Sequence, residues 1–140
     1  MNVEILSDND IKQRKIVIPI EHCPEHMWNS NLSEWKEEEY NYRLNTCDTI
    51  YFAVVNNKIV GHLGLNENSI KALYIDPNFR SFRLSYQLYE HLFLDFQYVE
   101  SDDAREPVAN KIWERLSKKY SSLIQYDQKR DVYIYDNRLK

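Results

Sequence analysis

Residues 69–93 constrain this chain more than any other stretch. Ile70, Ala72 and Tyr74 alternate with Leu73 and Ile75 along an extended run, Asp76-Pro77-Asn78 breaks it, and Leu84, Leu88 and Leu92 then recur at helical spacing. The pattern reads strand, tight turn, helix. A helix that starts just past a strand end leaves its first backbone N–H groups without intrahelical partners and concentrates the positive end of its dipole there. Such a turn is a cradle for an anion, and phosphate is the usual guest.

The rest of the chain supplies strands to flank this unit. Val3-Glu4-Ile5-Leu6 reads as a first strand, followed by the turn and N-cap cluster Ser7-Asp8-Asn9-Asp10. From Ile11 to Asn29 the signals conflict, and irregular chain with short helix is expected. Ser33 caps a helix that Trp35, Glu39, Tyr42 and Leu44 trace to about Asn45. Ile50–Val55 and Lys58–Leu65 form a hairpin across Asn56-Asn57, two residues that tolerate positive φ. Both glycines, Gly61 and Gly64, lie inside the second strand, where glycine is unfavourable unless a bulge or close approach requires it. Asn66-Glu67-Asn68 then turns the chain into the organising strand.

After the helix, Phe96–Val99 reads as a short strand, parallel to the organising strand because a helix connects them. Pro107 opens a helix whose apolar face is Val108, Ile112, Trp113 and Leu116 and which ends near Lys119. Ser122–Tyr126 and Val132–Tyr135 close the sequence as strands. The expectation is one α/β (α+β) domain over residues 1–140: a mixed, mainly antiparallel twisted sheet of about seven strands with helices on both faces. Its core should include Ile70, Leu73, Ile75, Leu88, Leu92, Ile112 and Leu116.

Composition narrows the function. A net charge of −4 without a long basic run argues against a nucleic-acid coat, so any anion site must be local, as at Arg80 and Arg83. Two cysteines give no disulfide framework, and no apolar run approaches the ~20 residues that span a bilayer, so a soluble, cytoplasmic protein without membrane partners is expected. His22-Cys23-Pro24-Glu25-His26 gathers possible metal ligands, yet a closed site needs a fourth and no second cluster exists, so no metal site is expected.

The organising stretch resembles the acetyl-CoA motif of the GNAT acyltransferase superfamily. That motif is a strand ending apolar-x-apolar-x-Pro, here Leu73-Tyr74-Ile75-Asp76-Pro77, then Gln/Arg-x-x-Gly-x-Gly/Ala, here Arg80-Ser81-Phe82-Arg83-Leu84-Ser85. Arg83 and Ser85 stand where the family has small residues. The resemblance implies a GNAT-like fold and acetyl-CoA held by backbone N–H groups of Ser81, Phe82, Arg83, Leu84 and Ser85. The edge of Leu73, Tyr74 and Ile75 would hold it too, with Arg80 and Tyr86 alongside, the loop amides being offered from αR backbone. A second family pattern, Asn-x-x-Ala-x-x-x-Tyr-x-x-Leu-Gly-Phe, maps onto residues 106–118. Ala109 and Leu116 match, Glu106 replaces the cofactor-binding Asn with Asn110 nearby, and Trp113 replaces the acid Tyr.

An indole cannot supply a proton, so Tyr120, Tyr98 or water would protonate the thiolate. Glu67 and Asp76 are candidates to take the amine's proton, and both also suit turn capping. Two readings remain open. One is an N-acyltransferase acting on a small-molecule or protein amine; the other is a GNAT-fold binding or inhibitory module without chemistry. Arg83 separates them: its side chain would either fold over the slot and block the pyrophosphate, or swing outward and add a guanidinium to the amide cradle as a phosphate ligand.

Overall fold

The computed structural model describes residues 2–19, 22, 47–102, 105 and 107–138, with the backbone alone at Ser81 and Phe82. The helix expected over residues 33–45, and Glu106, lie outside the described residues.

Seven strands form one sheet in the order β1-β2-β3-β4-β5-β7-β6. They are β1 (Val3–Ser7), β2 (Thr49–Val55), β3 (Lys58–Asn66), β4 (Ser69–Ile75), β5 (Tyr98–Glu100), β6 (Ile124–Asp127) and β7 (Val132–Asp136). Every neighbouring pair is antiparallel except β4 with β5. Among the described residues three helices flank the sheet, α1 (Asp8–Arg14), α2 (Leu84–Asp95) and α3 (Pro107–Lys119), with a 3-10 turn over Pro77–Phe82. The α/β class, the hairpin across Asn56-Asn57 and the parallel β4–β5 pairing agree with the sequence.

Three local expectations are corrected. The short helix expected after Ile11 starts earlier, at Asp8, because Ser7 and Asp10 form a reciprocal cap: Asp10 N–H donates to Ser7 Oγ at 3.3 Å and Ser7 N–H to Asp10 Oδ2 at 3.2 Å. Phe96 does not start β5, because its N–H donates to Leu92 O at 2.9 Å and closes α2. The start of β6 moves from Ser122 to Ile124, because the N–H groups of Leu123 and Ile124 both donate to Tyr120 O.

The sheet buries apolar side chains on both faces. One face packs Tyr51, Ala53, Leu63, Leu65, Ile70 and Ile75 under α2 and α3. The other packs Ile50, Phe52, Val54 and Ile59 with Ile11 of α1 and with Ile16 and Ile18. Strand β2 is buried almost throughout for this reason. The expected core residues are buried, apart from the half-buried Leu73, which packs against the same cluster.

A bulge explains how Ile70 joins Leu73 and Ile75 on one face, which strict alternation forbids. The β3–β4 register shifts between Gly64↔Ala72 and Leu65↔Ile70, so Lys71 is an extra residue. Gly64 is required by a close approach: a Cβ there would lie 2.6 Å from Cys47 Sγ and 3.3 Å from Cys47 Cβ. Gly64→Ala is therefore expected to cost about 1–3 kcal/mol by overpacking, read as a lower denaturant midpoint. An unchanged midpoint would show that Cys47 yields freely.

Candidate functional site

Strands β4 and β5 pair only at Ser69↔Glu100 and then diverge. Beyond Ser69 the β5-facing edge of β4 has no strand partner among the described residues, and a cleft of about 520 Å3 opens beside it. Leu73, Tyr74, Ile75 and Arg80 line one side, Leu84, Ser85 and Tyr89 the helical end, and Arg105, Ala109 and Trp113 the far wall.

The turn at the end of this cleft keeps a glycine-like backbone without glycine. Arg83 joins the 3-10 turn to α2 with φ 58° and ψ 32°, the left-handed region, rather than the expected αR. Among the described residues no side-chain cap is seen at the start of α2, which leaves its first N–H groups to an anion. Left-handed backbone costs roughly 1–2 kcal/mol in a residue with a Cβ. Arg83→Gly is accordingly expected to raise stability by about 1 kcal/mol once glycine's larger folding entropy is deducted. A fall in the denaturant midpoint would refute that account.

The Arg83 side chain lies away from the cleft. It borders an outer groove between α2 and α3 with Tyr86, Glu90, Arg115 and Lys119, and Arg115 sits over the Tyr86 ring at 5.7 Å. Arg83 is not among the residues that line the cleft, so it does not fold over the slot. Arg80 braces the turn: its Nε donates to Ile75 O at 3.0 Å and its guanidinium lies 5.8 Å from the Tyr74 ring centre.

Arg105, which sequence reasoning passed over, anchors the far wall. It donates to Asn110 Oδ1 at 2.7 Å, to Ser101 Oγ at 3.2 Å and to Asp131 Oδ1 at 3.0 Å, with its guanidinium 5.2 Å from the Tyr133 ring. The Asn110 carbonyl is thereby engaged within the protein, whatever its amide nitrogen does. Trp113 is 1% exposed and reaches the cleft wall, stacked on Tyr133 and edge-on to Tyr89. Tyr89, a second missed residue, lines the helical end of the cleft, and burial pushes its pKa above the ordinary phenol value. Its position one turn after Ser85 was the available signal.

Of the residues expected to move protons, Tyr120 is not among those lining the cleft; it packs on Phe93 and Tyr135. Tyr98 bonds Glu100 instead. Glu67 and Asp76 sit at opposite ends of β4. Glu67 is exposed in the β3–β4 turn, where its N–H donates to Asp48 Oδ2 at 2.9 Å, so Asp48 rather than Glu67 caps this turn. Asp76 follows β4 directly and meets His22 Nε2 at 2.9 Å. His22 Nδ1 in turn lies 2.8 Å from His62 Nδ1, and the Tyr74 ring packs against both imidazoles. Burial, and then the neighbouring His22, lower the His62 pKa to about 3.

No family model matches the sequence, and no curated protein is significantly similar to it. Solved structures are similar in fold. A GNAT-family acetyltransferase of Staphylococcus aureus Mu50 superposes with a TM-score of 0.54 at 13% identity over 98% of this chain and 100% of the other. The Escherichia coli protein YhhK, solved bound to coenzyme A, gives 0.53 at 13% identity over 97% and 99%. The ribosomal-protein-S18-alanine N-acetyltransferase of Escherichia coli gives 0.51 at 12% identity over 96% and 90%. The chain therefore has the GNAT fold.

Proposed function

We propose that this chain, built on the GNAT fold, binds acetyl-CoA in the β4–β5 cleft and transfers the acetyl group to an amine of a small molecule or a protein in the cytoplasm. The observation that carries this reading is the coincidence of three features: an unpaired β4 edge, a cleft beside it, and the uncapped start of α2 at the cleft's end. The residues fit such a ligand. An extended amide chain can add to the free edge of Leu73, Tyr74 and Ile75, while the pyrophosphate meets backbone N–H groups of Ser81 to Ser85, with Arg80 beside them. Tyr86, Glu106 and Asn110 complete the proposed binding set.

Acetyl-CoA supplies an activated thioester. The chain's own part is to hold the thioester carbonyl against strand N–H groups that stabilise developing negative charge, and to take the amine's proton. A buried indole at Trp113 leaves thiolate protonation to water.

Trp113 also favours a second reading, a binding module without chemistry, because it fills the wall where the family places its acid hydroxyl. Thermal-shift titration separates the outcomes. Acetyl-CoA at ~100 times its dissociation constant should stabilise the chain by ~2.7 kcal/mol. Thiol release with a panel of primary amines then marks a transferase; binding without release marks the module. No shift with CoA or acetyl-CoA refutes the cofactor site.

A further inference from the structure

We propose that Asp76, His22 and His62 form a proton relay that accepts the amine's proton in the transfer reaction, an inference that rests on the acyltransferase reading. Three groups separated by 40 and 54 residues in sequence meet here in one line: Asp76 Oδ1 to His22 Nε2 at 2.9 Å, and His22 Nδ1 to His62 Nδ1 at 2.8 Å. The His22 side chain is fully buried. The line stands directly behind the β4 wall of the cleft: Tyr74, which lines the cleft, packs its ring on both imidazoles and pairs in register with His62.

The geometry restricts where protons can be. Two nitrogens 2.8 Å apart hold one proton between them, since two would clash and none would set lone pair against lone pair. With His22 donating from Nε2 to Asp76, its Nδ1 accepts, so His62 carries its proton on Nδ1 and presents a bare Nε2. A proton arriving at that Nε2 shifts the Nδ1 proton across to His22, which becomes an imidazolium donating to the Asp76 carboxylate. His62 alone is a poor base, being held neutral down to about pH 3 by burial. The relay carries the charge away from His62 to His22, whose Nε2 faces the Asp76 carboxylate at 2.9 Å. Tyr74 packs its ring on His22, and the Arg80 guanidinium lies across that ring.

The step balances. The amine lone pair forms the C–N bond, the C–S bond breaks with its electron pair on sulfur, and the N–H proton goes to His62 Nε2 as the Nδ1 proton passes to His22. The thiolate takes a proton from water, and the relay later returns its own to solvent.

The test uses the full chain, acetyl-CoA and the panel of primary amines, with His62→Asn and Asp76→Asn as variants. Both variants should bind CoA within about threefold of the parent by calorimetry, while kcat falls by about 100-fold or more. The parent kcat should rise with pH through the relay's titration, and His62→Asn should lose that limb. Long-range imidazole 1H–15N spectra of the parent should show His62 protonated on Nδ1 at high pH; a proton on Nε2 instead overturns the relay even where the variants fail to fold. A His62→Asn variant with the parental rate and pH profile overturns the relay and leaves the transferase reading intact. Absence of CoA binding by the parent overturns both.

Discussion

Trp113→Ala should remove about 3–5 kcal/mol of unfolding free energy, the usual cost of deleting a large buried aromatic. The indole lies at the junction of α2, α3 and β7: Tyr89 meets it edge-on with ring centres 5.3 Å apart, Phe93 approaches at 6.1 Å, and Tyr133 stacks on it at 5.7 Å with planes 8° apart. Alanine leaves these three rings facing a void that helices on opposite walls of the cleft cannot close without moving. Trp113→Tyr keeps a ring against Tyr133 and should be tolerated. It also restores a hydroxyl to the cleft wall, so thiol release by this variant should match or exceed that of the parent. A loss below about 1 kcal/mol for Trp113→Ala in equilibrium denaturation would show that the indole is not a packing element.

Leu88→Ala follows as the second large loss, roughly 2–5 kcal/mol. Leu88 is fully buried, and so are Leu84 and Leu92, one turn to either side, so the three form the seam by which α2 grips the sheet. Neighbours on that seam cannot swing into the vacated volume, because each occupies its own buried position. The expected sign is a lower denaturant midpoint at unchanged m-value. A loss under about 1 kcal/mol would mean that the site collapses around the smaller side chain.

What the sequence made legible is what local pattern encodes. The hairpin across Asn56-Asn57, the organising strand and its helix, and the seam of Leu84, Leu88 and Leu92 all rest on neighbours within a few residues of each other. The start of α1 at Asp8 escaped because its cap box uses Asp10 rather than Glu or Gln, and because Ile11 is the sole buried residue of the helix. The bulge at Lys71 left no mark in composition, yet it alone allows Ile70, Leu73 and Ile75 to share a face.

The site divides the same way. The cleft-lining positions of Leu73, Tyr74, Ile75, Arg80, Leu84 and Ser85 followed from the strand-turn-helix pattern, since that pattern is the site. Tyr120, one of the alternatives for protonating the thiolate, packs on Phe93 and Tyr135 instead, where the turn after α3 carries it. The line from Asp76 through His22 to His62 was invisible, because its members come from three separate segments that only the folded sheet brings together.

The single β4–β5 rung bears on how this molecule moves. The sheet is mechanically two blocks, β1 to β4 and β5 to β7, joined through the backbone by the Ser69↔Glu100 pair and the Glu100 N–H bond to Asn68 O at 2.8 Å. Elsewhere the blocks are held together by apolar contacts through α2 and α3, which slide more readily than a hydrogen-bonded ladder shears. Widening the cleft therefore strains few directional bonds, and the rung at Ser69 is its natural pivot. Amide exchange should report that asymmetry, with the ladders inside each block protected more strongly than the Glu100 amide that joins them.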